Sequence, residues 1–92
     1  MDDLKRRRGL ILQLARARHA SNIRIFGSVA RGDARRDSDV DFLVDLDPGA
    51  TALDVTGLMT DLEDELGRRA DVVVIRRQSP MGRRIRAEAV PL

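Results

Sequence analysis

Residues 27–44, GSVARGDARRDSDVDFLV, constrain this chain more than any other stretch. Gly27 and Ser28 stand directly after a short apolar run at residues 23–26. Ten residues separate Ser28 from Asp39-Val40-Asp41, which opens a second apolar run, Phe42-Leu43-Val44. If that second run is a strand, alternation sends Val40 and Phe42 into a core and turns Asp39 and Asp41 to one common face. Two carboxylates on one face of a strand edge are poor for stability and suit a divalent metal. Small residues at 27 and 28 let the backbone approach a ligand closely. A short helix beginning at Ser28 would aim free N–H groups at a phosphate docked there.

The flanking chain reads as alternating helices and strands. Residues 2–19 predict a helix, capped by Asp2 or Asp3, with Leu4, Ile11, Leu14 and Ala15 as its apolar stripe. Its basic run, Lys5 to Arg8, reads as a solvated face. His19, the only histidine, reads as a polar residue at the helix end. Ser21-Asn22 predicts a turn before a strand at 23–26. Residues 29–33 predict a helical turn ended by Gly32, followed by a polar loop in which Ser38 orients the approach to Asp39. Residues 40–46 predict a second strand, with Asp45 facing solvent as an arginine's partner. Thr51 with Asp54 is close to a capping box for a helix over 51–66, stopped by Gly67. Leu53, Val55, Leu58, Met59, Leu62 and Leu66 are its expected buried stripe. Gly57 within it implies close packing against a neighbour. Residues 71–75, DVVVI, predict a third strand buried on both faces. Asp71 at its edge needs a reason, either a metal or an ion pair with Arg68 or Arg69. Ser79-Pro80 opens a last helix to about residue 89, with Met81 and Ile85 inward and Pro91 beyond it. The implied architecture is one α/β domain over residues 1–92, a short mixed central sheet flanked by helices in the order α-β-α-β-α-β-α.

Gly-Ser, ten residues, then Asp-x-Asp, with Arg31-Gly32-Asp33 inside the spacer, resembles the DNA polymerase β-type nucleotidyltransferase superfamily. Within it, the chain resembles the minimal nucleotidyltransferase (MNT) proteins, which act as antitoxins beside HEPN-domain toxins. The resemblance implies Asp39, Asp41 and Asp71 as catalytic metal ligands for two Mg²⁺ ions. It implies Gly27 and Ser28 as holders of the β and γ phosphates of ATP, with Arg31 assisting. It also implies transfer of AMP to a hydroxyl, that of a tyrosine, on a partner HEPN toxin. Three carboxylates that close either raise their pKa values or recruit a cation, and hard oxygen donors suit magnesium.

Composition narrows the alternatives. Ninety-two residues bury roughly 64% of their extended surface, enough for one modest core. A partner chain is therefore expected to supply part of the site or the substrate, as a hetero-complex or oligomer. The formal net charge is only +2; the pI of about 10.3 reflects arginines that do not titrate near neutrality. That charge, with two phenylalanines and no Trp or Tyr, disfavours a nucleic-acid-binding module. Arg35 and Arg36 read equally as phosphate contacts or as solvated loop residues. With no cysteine there is no disulfide framework or thiolate site. No apolar run approaches the roughly 20 residues of a membrane span, and the expected location is the cytoplasm. A non-catalytic antitoxin that masks its partner by binding is the competing function.

Overall fold

The computed structural model describes residues 1–35, 37–76 and 79–92. Its elements are α1 (Asp2–Arg6), α2 (Arg8–Ala17), β1 (Ala20–Phe26), α3 (Gly27–Arg31), β2 (Val40–Leu46), α4 (Ala52–Leu66), β3 (Ala70–Val73), α5 (Pro80–Glu88) and β4 (Val90–Pro91). The strands form one mixed sheet in the order β3-β2-β1-β4. β1 runs antiparallel to both β2 and β4, while β2 and β3 are parallel. The mixed sheet flanked by helices is the architecture expected from the sequence.

β2 is the spine of the sheet. Val40, Phe42 and Val44 are almost wholly buried and share a core with Leu4, Ile11, Ile25, Leu58 and Leu62. Leu43 is also buried but stands outside that cluster. Strand alternation places it on the opposite face, with Asp41. The sequence patterns at 40–46, 51–66 and 79–88 therefore find their elements. Thr51 and Asp54 form the capping box, and the Ser79 hydroxyl caps α5 by accepting from Gly82 N–H at 2.9 Å.

Several expectations are corrected. The first helix breaks at Arg7, whose backbone leaves helical geometry at φ −97° and ψ 11°. Ser21 and Asn22 lie inside β1 instead of forming a turn. The extra length is absorbed by a bulge between Ser21 and Arg24, with Asn22 at φ 51°. Leu53 and Met81 are exposed, at 81% and 72%: each sits in the first turn of its helix, where the apolar stripe outruns its neighbours. β3 is an edge strand in which Asp71 is exposed and Val72 and Val73 are only half-buried. Val90 and Pro91 form an unexpected fourth strand beside β1. Pro91 is tolerated there because an edge strand has ladder positions that need no N–H donor. Arg36 lies outside the described residues.

Candidate active site

Strand register assembles the site. Phe26 pairs with Asp41 across β1 and β2, so the turn at Gly27 falls beside Asp41. Asp41 in turn pairs with Asp71 across the parallel β2 and β3. Cross-strand partners project to the same face, and Asp39, just before β2, is near enough for its charge to act on Asp41. Asp39 and Asp71 are exposed and Asp41 is half-buried.

The electrostatics agree with that placement. The Asp41 carboxyl is held above the usual carboxylate range, first by burial, then by the charges of Asp71 and Asp39. Glu88 adds to the effect and Arg31 opposes it. Among the described residues, none of Asp39, Asp41 and Asp71 forms an ion pair. The arginine alternative for Asp71 is not taken up by Arg68: its Nε and Nη2 both donate to the Ser38 carbonyl, at 3.1 and 2.5 Å. Ser38 Oγ accepts from Arg35 N–H at 2.8 Å. The approach to Asp39 is thereby fixed from both sides, as the position of Ser38 suggested.

Gly27 is required sterically. Its φ is +75°, and a Cβ there would overlap Asp41 Oδ2 and lie 3.1 Å from Asp41 Cγ. Only glycine brings the turn this close to the acid. Its N–H is not free, however: it donates to Glu88 Oε1 at 3.1 Å. Ser28 follows, half-buried, in a helix that starts two residues earlier than expected and ends on Gly32 in the left-handed region. Arg31 donates through Nε to Asp33 at 3.4 Å and through Nη1 to Glu88 at 2.5 Å. The solvent-facing role expected of Asp45 holds, since it pairs with Arg24 at 2.7 Å. His19 is an exposed residue past α2, also as expected.

Glu88 is the contact that the sequence reading missed. A signal existed: it is the lone acid on a helix carrying Arg83, Arg84 and Arg86. Beside the site, a cleft of about 810 Å³ is lined by Val29, Gly32, Arg35, Asp37, Arg68 and Arg69 among others. None of the three acids lines it, so the acid face lies outside this cleft.

A nucleotidyltransferase domain model matches residues 8–92. The chain belongs to the nucleotidyltransferase domain family. This nucleotidyltransferase is similar to a provisionally named protein adenylyltransferase of Methanocaldococcus jannaschii, 40% identical over 67 residues that make up 72% of each chain. It is also similar to the protein adenylyltransferase MntA of Thermococcus cleftensis, 46% identical over 52 residues, 56% of this chain and 52% of that one. Among solved structures it resembles one provisionally described as a minimal nucleotidyltransferase, at 44% identity and TM-score 0.84, covering 99% of this chain and 94% of the other. The fold recurs in a toxin–antitoxin crystal structure with AMP-PNP (23% identity, TM-score 0.75, 90% of this chain and 69% of that one). It recurs again in the complex of a tri-AMPylated Shewanella oneidensis HEPN toxin with its MNT antitoxin (19%, 0.69, 95% and 69%).

The donor chemistry fits a hard divalent cation: the three acids are carboxylates, with no thiolate or imidazole among them. Among the described residues no three such side chains are already closed into a coordination cage.

Proposed function

We infer that residues 1–92 are a minimal nucleotidyltransferase domain that transfers AMP from ATP to a hydroxyl, a tyrosine's, on a partner HEPN toxin, and so acts as its antitoxin. The observation that carries the reading is the register that sets Asp41 beside Asp71 and the Gly27-Ser28 turn, with the Asp39 charge acting on Asp41. The protein adenylyltransferase names of its relatives and the toxin complexes of its structural neighbours support the acceptor and the nucleotide.

In this reading Asp39, Asp41 and Asp71 would hold Mg²⁺, two ions when nucleotide is bound, and the metal would supply charge neutralisation at the phosphoryl oxygens and activation of the attacking hydroxyl. The chain's own residues do the rest. Gly27 gives the turn its close approach to Asp41, and Ser28 offers its hydroxyl and backbone N–H to the β and γ phosphates. Arg31 lies at the same end and offsets phosphate charge. Asp71, on the open edge strand, faces the acceptor and takes up its proton. The acceptor oxygen forms a bond to the α-phosphorus as the bond to the bridging oxygen breaks. AMP ends as an ester on the acceptor, and pyrophosphate leaves. The work is done in the cytoplasm, where ATP is at hand; no helix among the described residues is long and apolar enough to cross a membrane.

The test is ATP labelled at the α-phosphate, with Mg²⁺ and the purified partner toxin. Label should pass to the toxin with the wild type and not with the Asp39→Asn, Asp41→Asn double variant. If the toxin is neutralised equally by both proteins, with no label transferred, the chain is a binding antitoxin and the enzymatic reading fails.

A further inference from the structure

Glu88 is the only acid on α5, yet it pairs with none of the arginines on that helix. Its Oε1 accepts instead from Arg31 Nη1 and from Gly27 N–H. Tertiary structure delivers it there: β4, starting two residues later, pairs with β1 through Ile25 and Val90, and so returns the end of α5 to the Gly27 turn.

Arg31 is a cation at the border of an uncompensated acidic face. Its charge is felt at Asp41, and Gly27, which shares the Glu88 oxygen with it, packs against Asp41 Oδ2. A guanidinium so placed has every electrostatic reason to close on Asp41, because charged hydrogen bonds to a carboxylate are strong and Arg suits them geometrically. It does not close. Two other acids hold it, Asp33 on Nε and Glu88 on Nη1. Both acids act on the Arg31 guanidinium, and Glu88 is the more buried of the two, its side chain 27% exposed against 63% for Asp33.

We propose that Glu88 is a positioning residue that keeps Arg31 off Asp41, leaving the face of Asp39, Asp41 and Asp71 open to a divalent cation. The proposal rests on the metal-holding role given to those three acids above. It assigns Glu88 no contact with metal or substrate. By holding Arg31 at a distance from Asp41, Glu88 prevents the site's own cation from occupying the place of the metal.

The experiment titrates Mn²⁺ into the nucleotide-free full chain and follows the free-ion signal by electron paramagnetic resonance. Wild type binds Mn²⁺ and Asp41→Asn loses that binding. Glu88→Gln keeps an oxygen for Gly27 N–H but removes the more buried of the two charges that hold Arg31. It should weaken Mn²⁺ binding roughly fivefold, the scale of an exposed ion pair. The double variant Arg31→Ala, Glu88→Gln should recover wild-type affinity or better, a rescue that a purely structural role does not produce. Thermal melts check folding, and Glu88→Asp, one methylene shorter, serves the same comparison if Glu88→Gln is unfolded. Unchanged Mn²⁺ affinity in the folded Glu88 variant overturns the proposal alone. So does a double variant as weak as the single one. A wild type with no Asp41-dependent Mn²⁺ binding removes the metal reading itself, and the role of Glu88 with it.

Discussion

Asp41 is the residue on which stability and function pull apart. Burial, followed by Asp71 and Asp39, raises its pKa. The folded chain therefore holds the Asp41 proton more tightly than the unfolded chain does. Ionising Asp41 at neutral pH weakens the metal-free fold, and this penalty vanishes once the pH falls below the ordinary carboxylate pKa. Asp41→Asn removes the charge and keeps the shape. It should melt higher than the wild type at pH 7 in the absence of metal, with the difference closing as the pH is lowered. The same variant should transfer no AMP. A variant that melts lower than the wild type at pH 7 would mean that the Asp41 charge is compensated in the fold. Gly27→Ala tests the neighbouring constraint. A left-handed backbone disfavours a Cβ by about 1–2 kcal/mol, and here the Cβ also displaces Asp41. Lower denaturant midpoints and about a hundredfold slower transfer are expected, the latter from misplacing a reacting group by an ångström or so. A fully active Gly27→Ala variant would show that the close approach is dispensable.

At the scale of elements, legibility followed the locality of the physics. The Thr51–Asp54 box, the Ser79-Pro80 start and the alternation from Asp39 to Phe42 are decided by neighbours in sequence, and each found its place. Leu53, Met81 and β4 are decided by what lies across the molecule, and the pattern of apolar residues carries no such information. Gly57 shows the same limit. Its missing side chain makes room for the Arg18 guanidinium, whose Nε donates to Asp61 at 2.9 Å. The packing was foreseeable, but the partner, just past the end of α2, was not. The acid face was legible only in part: Asp39 and Asp41 share a face by strand periodicity alone, whereas the joining of Asp71 depends on a parallel register. Glu88 depends on a fourth strand of two residues. The cap of α5 is therefore more than a local detail, because α5 delivers Glu88 to the site. Ser79→Ala should lower stability by about 1 kcal/mol, or the melting temperature by about 4–8 °C for a domain of this size. Calorimetry against wild type checks it, and no change would mean that the Gly82 N–H is equally well served by water.

As a whole molecule, the chain completes its own core but not its own site. The radius of gyration of 12.4 Å is that of a compact domain of this length, about 12 Å. The functional face is different. Asp39 and Asp71 are exposed, β3 offers an open edge, and none of the three acids is ion-paired among the described residues, with only the more distant Arg31 charge opposing their repulsion at Asp41. Folding leaves that repulsion in place, and a cation with its nucleotide relieves it. Ligand binding must then appear as stability, since whatever binds the folded state alone raises its melting temperature. At one hundred times its dissociation constant, MgATP should stabilise the chain by about 2.7 kcal/mol, roughly 10–20 °C at this size. ATP with EDTA should give much less, because the phosphate charge then meets the acids unscreened. The MgATP shift should shrink as the pH falls toward the raised pKa of Asp41, where protonation competes with the metal. It should be absent in Asp41→Asn despite that variant's more stable fold. Scanning fluorimetry over pH and ligand reads all of these in one experiment. Equal shifts from ATP with and without Mg²⁺ would detach the nucleotide from the acid face and place its binding elsewhere on the chain.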